Sequence, residues 1–196
     1  IIEPFLNVSS SPNDQWIISR DGSINHLGIR DQICKDGMVH TGTVNKVQIS
    51  NSNSKYIKDT SLKIATKMAE TGYVGVIGID YIVTDTGVFP VENNARFNGS
   101  SYVSLIVDNI EKLTTPVQVW KFVKIKTTPC SFNELKERLK SSLYDGEKLN
   151  SVFPYNCEEL LNTGRFSLIY LAENIENISI LEQGVKEIQI ERIVFN

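Results

Sequence analysis

Apolar positions along this chain change period several times, and each change marks a new element. Trp16 to Ser19, a turn at Asp21-Gly22 and a return from Ile24 to Ile33 predict a hairpin. Residues 35–37 read as another turn, and the alternating stretch 39–49 as a further strand. Ile57, Leu62, Ala65, Met68 and Ala69 recur at helical spacing, which predicts a helix over 55–71. The polar run 51–54 offers caps for it, and Gly72 a left-handed stop. Two strand-like runs follow, 76–83 and 88–94, and then a helix from Ser100 or Ser101 to Leu113 that Pro116 keeps from extending. A strand over 117–125 leads to a capping box, Ser131 with Glu134. The box opens a helix over 132–144, whose Leu135, Leu139 and Leu143 share a face and which Gly146 closes. A strand at 165–172, a short helix at 179–186 and an alternating strand at 187–195 complete the chain. Hairpins mixed with helices predict an α+β fold.

The hairpin over 76–94 is unusual, because Asp80, Glu92 and Asn94 sit within its apolar runs. The simplest connection is a three-residue loop, Asp85-Thr86-Gly87, with Gly at the left-handed position. Thr84 then faces Val88, Asp80 faces Glu92 and Gly78 faces Asn94; a four-residue loop would instead set Asp80 against Val91. Since side chains alternate, Ile77, Ile79, Tyr81, Val83, Phe89 and Val91 form a core face. Gly78, Asp80, Ile82, Pro90, Glu92 and Asn94 form the other. Like charges directly opposite cost a strand pair roughly 0.2–1 kcal/mol. A hard divalent cation would offset that cost, since carboxylate and amide oxygens are its preferred ligands. Two carboxylates and an amide suit Mg²⁺ or Mn²⁺, with remaining positions left for water and phosphate. The plainer reading is a solvated polar face on a surface hairpin. Arg96, two residues past Asn94, shares the face if the strand continues, where a guanidinium could hold a phosphate or carboxylate oxygen.

Composition narrows the classes. A chain of 196 residues makes one domain or two small ones. Hydrophobic residues at 41% and charged ones at 22% are ordinary for a globular protein. A formal charge of −3 gives no broad attraction to nucleic acid or to an anionic membrane. No apolar run approaches the ~20 residues of a membrane span, and there is no signal-peptide pattern. Cys34, Cys130 and Cys157 form no CxxC pair, read as free thiols and suit a reducing cytoplasm. His26 and His40 have no third ligand at metal spacing and read as structural or surface residues. The opening IIEPFL reads as a strand already under way, without a starting Met, so a fragment of a longer protein is expected.

The stretch GVIGIDYIVTDTGVFPVENNARFNG, residues 75–99, resembles the metal-binding segment of the ATP-grasp superfamily of carboxylate–amine and carboxylate–thiol ligases. That segment is an Asp-bearing strand, a short turn and a strand ending Glu-x-Asn, often followed by x-Arg. The resemblance implies that Asp80, Glu92 and Asn94 hold Mg²⁺ (or Mn²⁺) on ATP, and that Arg96 holds the acyl phosphate or a substrate carboxylate. IIEPFLN resembles the hinge strand of the same family, with Glu3 the hinge acid and the backbone around Pro4, Phe5 and Leu6 facing adenine. Ser9, Ser11, Asn13 and Asp14 are candidates for the ribose. The implied fold is an ATP-grasp-like large lobe over 1–115, an antiparallel sheet with flanking helices, followed by an α+β C-terminal extension over 116–196. The implied activity is an ATP-dependent amino-acid or peptide ligase working through an acyl phosphate in the cytoplasm. Its partners would be small-molecule carboxylate and amine substrates, the missing N-terminal lobe that bears the phosphate-gripping lysines and, should the chain form a homo-oligomer, a second copy of itself. The alternative is a non-catalytic binding or partner-docking module that keeps the ATP-grasp shell.

Overall fold

The computed structural model describes residues 6–35, 39–113 and 116–192. In chain order the elements begin β1 (Pro12–Ile18), β2 (Ile24–Lys35), β3 (Val39–Val44), α1 (Asn51–Glu70), β4 (Gly75–Val83), β5 (Val88–Asn94) and α2 (Gly99–Glu111). They continue β6 (Val119–Lys126), α3 (Phe132–Leu139), β7 (Ser151–Tyr155), α4 (Leu160–Thr163), β8 (Arg165–Ala172), α5 (Ile175–Glu187) and β9 (Glu191–Arg192). They divide into two compact units: the described residues up to Val39 with Lys46–Tyr102, and His40–Asn45 with those from Val103 on.

In the first unit the strands lie antiparallel in the order β5-β4-β1-β2. Alternation gives β1 and β4 one apolar face, made of Trp16, Ile18, Ile77, Ile79 and Tyr81. α1 covers this face with Ile57, Ser61 and Ala65, four residues apart and therefore on one side of the helix. Burying each Ile removes it from water for roughly 1.5–3 kcal/mol. The Tyr81 hydroxyl would be a liability there, but it lies 2.8 Å from Ser61 Oγ and donates to the Ile57 carbonyl at 3.3 Å. Ser50 caps α1, its Oγ accepting from the Asn53 backbone N–H, so the helix starts earlier than its apolar spacing shows. It ends at Thr71, followed by Gly72 with φ +86°.

In the second unit the antiparallel order is β3-β6-β8-β7, with β9 also beside β6. Val103, Val107 and Ile110 of α2 pack with Trp120, Phe122, Ile169 and Leu171. β8 is buried from Phe166 through Ala172 and so shows no alternation, as expected of a strand covered on both faces. Ser131 and Glu134 make the expected capping box on α3.

The structure is an α+β fold of antiparallel strands with flanking helices. Several elements differ from their sequence pattern. β3 stops at Val44 and does not reach Ile49. α3 ends at Leu139, and Leu143 makes a single bridge to Val152. α5 already begins at Ile175, capped by Asn174. Residues 187–189, expected in the last strand, close α5, so β9 starts only at Glu191. β7 and α4 had no counterpart in the pattern, because Pro154 and the flanking polar residues mask the short apolar run of β7. No helix among the described residues is long and apolar enough to cross a membrane.

Candidate functional site

The face of the first unit's sheet opposite α1 carries the candidate chemistry. Strand pairing sets two rows of residues across it. Glu92 on β5 lies opposite Asp80 on β4, Asp80 opposite Asn13 on β1, and Asn13 opposite Arg30 on β2. The next row is Asn94, Gly78, Gln15 and Gly28.

The register that joins Asp80 to Glu92 is the expected one, but its cause is not. Val83 pairs with Val88, Ile82 with Phe89 and Tyr81 with Pro90. The turn is closed at Thr84 and Gly87, whose backbone bond is 2.9 Å, and Thr84 Oγ1 accepts from the Thr86 and Gly87 N–H groups. Continued regularly, this tighter turn would place Val91 against Asp80. A bulge between Asp80 and Tyr81 absorbs Val91 instead and brings Glu92 opposite Asp80. The outer half of β5 is thereby turned over. Phe89 and Val91, expected in the core, are 40% and 56% exposed, and Val88 packs on the core instead.

Asp80 sits in a ring of amides. Its Oδ1 accepts from Asn13 Nδ2 at 2.5 Å and from Gln32 Nε2 at 2.6 Å, and its Oδ2 accepts from Asn94 Nδ2 at 3.0 Å. The Asn94 Oδ1 accepts from Arg96 Nη2 at 2.8 Å, and Arg96 Nη1 donates to Asn98 Oδ1 at 3.2 Å. Asp80, Asn94 and Arg96 thus form one connected set, with the exposed Glu92 carboxylate beside it. Partial burial pushes the Asp80 carboxyl up to about 6; the Asn13 bond opposes this and the Glu92 carboxylate adds to it. Neutral amides temper the burial of a carboxylate but supply no countercharge.

The fit to a cation follows from these donors. Among the described residues no three His, Cys, Asp or Glu side chains group to hold a metal. Two carboxylates with an amide oxygen are instead the sparse, all-oxygen set that Mg²⁺ uses when phosphate and water complete its shell. Gly78 matters to the geometry. A Cβ there would lie 2.0 Å from Asn98 Nδ2 and 2.9 Å from Asn13 Nδ2, so the bare backbone makes room for both amides.

Glu3, Pro4 and Phe5 lie outside the described residues, and Leu6 is half-buried. Of the ribose candidates, Asp14 is fully buried on the α1 side, where His26 Nε2 meets its Oδ1 at 2.6 Å and Trp16 Nε1 donates to its Oδ2 at 2.8 Å. Asn13 is occupied with Asp80, and Ser9 Oγ donates to the Val83 carbonyl. His40 lies in the second unit, bonded to Thr43 Oγ1 at 2.9 Å; burial, with Lys124 nearby, lowers its pKa to about 4. Gln15 and Gln32 were not singled out by sequence, and their one signal was polar residues inside strand-like runs.

No protein-family model matches the chain, and no curated protein does. Solved structures do. The N5-carboxyaminoimidazole ribonucleotide synthetase of Thermus thermophilus superposes with a TM-score of 0.70 at 11% identity, over 99% of this chain and 54% of its own. Biotin carboxylase of Campylobacter jejuni, in a β,γ-ATP complex, gives 0.64 at 16% identity over 97% and 48%. The Staphylococcus aureus N5-carboxyaminoimidazole synthetase, complexed with ADP, gives 0.62 at 8% identity over 95% and 52%. The chain spans about half the length of the solved structures it matches. It has the ATP-grasp fold that its hairpin resembles, over that half.

Proposed function

We propose that this chain is the metal-bearing part of an ATP-dependent ligase that activates a carboxylate as an acyl phosphate for attack by an amine. The observation that carries this reading is the Asp80–Glu92 pair on one face of the hairpin, joined through Asn94 to Arg96. Nucleotide complexes among the matched structures support it as an analogy of fold.

In this reading Asp80 and Glu92 hold Mg²⁺, and Asn94 lends the second lone pair of its Oδ1. Bound there, the ion would neutralise charge on the phosphates. A substrate carboxylate oxygen attacks the γ-phosphorus, the bond to the bridging oxygen breaks and ADP leaves. The amine then attacks the acyl carbon, phosphate leaves with the bonding pair, and the amine proton passes to solvent. The chain contributes position and charge, not a covalent nucleophile. Arg96, held by two amide oxygens, presents a fixed guanidinium to the acyl phosphate or the carboxylate. Residues 116–196 would be an extension that closes over the acceptor or forms a subunit contact, and the phosphate-gripping lysines would come from a separate lobe.

The test is ADP release by the full-length protein with Mg²⁺ against a panel of amino acids and small peptides. Stimulation by one carboxylate–amine pair, lost in Glu92→Ala, is expected. Turnover retained in that variant would remove the metal role. Nucleotide binding without any turnover across the panel would favour a binding module.

A further inference from the structure

Asn13 and Gln15 project from a central strand to the site face and are nearly removed from water, at 4% and 0% exposure. Apolar residues would pack there without the cost of desolvating amides. Both amides are nevertheless bonded, and one relay of donors runs from Ser101 through Gln15 and Asn13 to Asp80. Gln15 Nε2 donates to Asn13 Oδ1 at 2.7 Å and to Ser100 Oγ at 2.6 Å, and Gln15 Oε1 accepts from Ser101 Oγ at 2.9 Å. Ser101 Oγ in turn accepts from the Asn98 backbone N–H. The donor from Gln15 settles which way the Asn13 amide faces: its oxygen points to Gln15, so its N–H₂ points to Asp80.

From this geometry we propose that Gln15, Asn13 and Gln32 are a positioning clamp for the Asp80 carboxylate, and that Gln15 couples that carboxylate to the first turn of α2. The inference rests on the metal reading above. Among the described residues two amide donors occupy Oδ1 of Asp80, whereas a single amide, from Asn94, meets Oδ2. Asp80 would thus offer Oδ2, its less occupied oxygen, to a cation, with the carboxylate already held by the amides in the metal-free chain. The amides do this without adding negative charge beside two carboxylates. Through Ser100 and Ser101 the same clamp reaches the turn that begins α2 and follows Arg96. Such outer partners typically change metal affinity by about 10–100-fold when removed.

The experiment uses the 196-residue chain, with Mn²⁺ as probe followed by electron paramagnetic resonance, and metal-free amide exchange followed by mass spectrometry. Gln15→Met keeps length and removes the donors, and Gln32→Met does the same near the rim, should the first fail to fold. Folding is checked by circular dichroism. Expected is a loss of Mn²⁺ affinity of about tenfold or more in each folded variant. In metal-free Gln15→Met, exchange in the first turn of α2 should quicken by about three- to tenfold. Affinity within about twofold of wild type, or tighter, in a folded variant overturns the clamp. If wild type binds no Mn²⁺, the metal reading fails by itself. Exchange then decides the clamp, and an unchanged α2 first turn in Gln15→Met, or failing that in Ser101→Ala, overturns it.

Discussion

Replacing Asp80 by Asn should stabilise the metal-free protein at pH 7.5 and cost it about 1 kcal/mol at low pH. The cause is burial of the carboxylate, with Glu92 adding to it, which moves its pKa from 3.8 to about 6. At 1.36 kcal/mol per unit, a shift of about two units corresponds to roughly 3 kcal/mol. Partial exposure and solvent screening reduce this to about 1–2 kcal/mol. The folded pKa is raised, so the folded state gains its proton more readily than the unfolded chain. The favourable contribution is complete below about pH 4 and is lost as pH rises through about 6. The neutral amide of the Asp80→Asn variant escapes that loss. Its oxygen can accept from Asn13 and Gln32, but its N–H₂ must face the Asn94 N–H₂, which returns about 1 kcal/mol of the gain. A net gain of up to about 1 kcal/mol corresponds to about 2–4 °C in a chain of this size. Urea unfolding of both proteins in chelator, from pH 4 to 8, measures it. Asp31, also raised by burial, is common to both and cancels in the difference. A difference that stays constant with pH, or an Asp80→Asn protein less stable at pH 7.5 than at pH 4 relative to wild type, would refute the reasoning. Mn²⁺ added at pH 7.5 should raise the wild-type midpoint and leave that of Asp80→Asn nearly unmoved.

Gly78→Ala places a Cβ where Asn98 Nδ2 lies; a loss of about 1–3 kcal/mol in urea unfolding is expected, together with weaker Mn²⁺ binding. Arg96→Lys keeps the charge but loses the fork held by Asn94 and Asn98. In the ADP-release assay it should raise the KM of the carboxylate substrate by about tenfold or more, and an unchanged KM would remove Arg96 from substrate binding. Tyr81→Phe removes the hydroxyl shared by Ser61 and the Ile57 carbonyl, which should cost about 1 kcal/mol by thermal unfolding while leaving Mn²⁺ affinity unchanged.

What could be read from sequence was what depends on neighbours in the chain. β8 matched residue for residue, and the capping box on α3 and the left-handed Gly72 after α1 were each visible in a few adjacent residues. The hairpin was legible as two strands with Asp80 across from Glu92, but the turn was not. Thr84 Oγ1 accepts two backbone N–H groups and tightens the loop by one residue, and the bulge at Val91 then restores the pairing. Two deviations cancelled at Asp80 and did not cancel at Phe89 and Val91, where the predicted core face was wrong. The amide ring was hidden for another reason. It depends on β1 lying beside β4, a pairing between residues 67 apart at Asn13 and Asp80. Alternation shows that Asn13 and Asp14 face opposite sides; it does not show which side holds the other carboxylates.

β4 itself shows how the two faces divide the work. Ile77, Ile79 and Tyr81 are at most 1% exposed and fasten the strand under α1, while Gly78 and Asp80, between them, face the amides and the opposing carboxylate. The second face lowers stability at neutral pH, since a half-buried carboxylate there has neutral partners and a like charge across from it. The first face outweighs it, because three large side chains wholly removed from water contribute several kcal/mol. A ligand site needs that surplus: its carboxylates stay available to a cation because the groups seen to hold Asp80 among the described residues are neutral amides. The same logic separates the effects of substitution along one strand. Truncating Ile79 should lower stability at every pH and with or without metal, whereas changes at Asp80 should be read only through pH and metal. If truncation at Ile79 and replacement at Asp80 gave the same pH and Mn²⁺ dependence, the two faces would not be independent and the assignment of the site to one of them would fail.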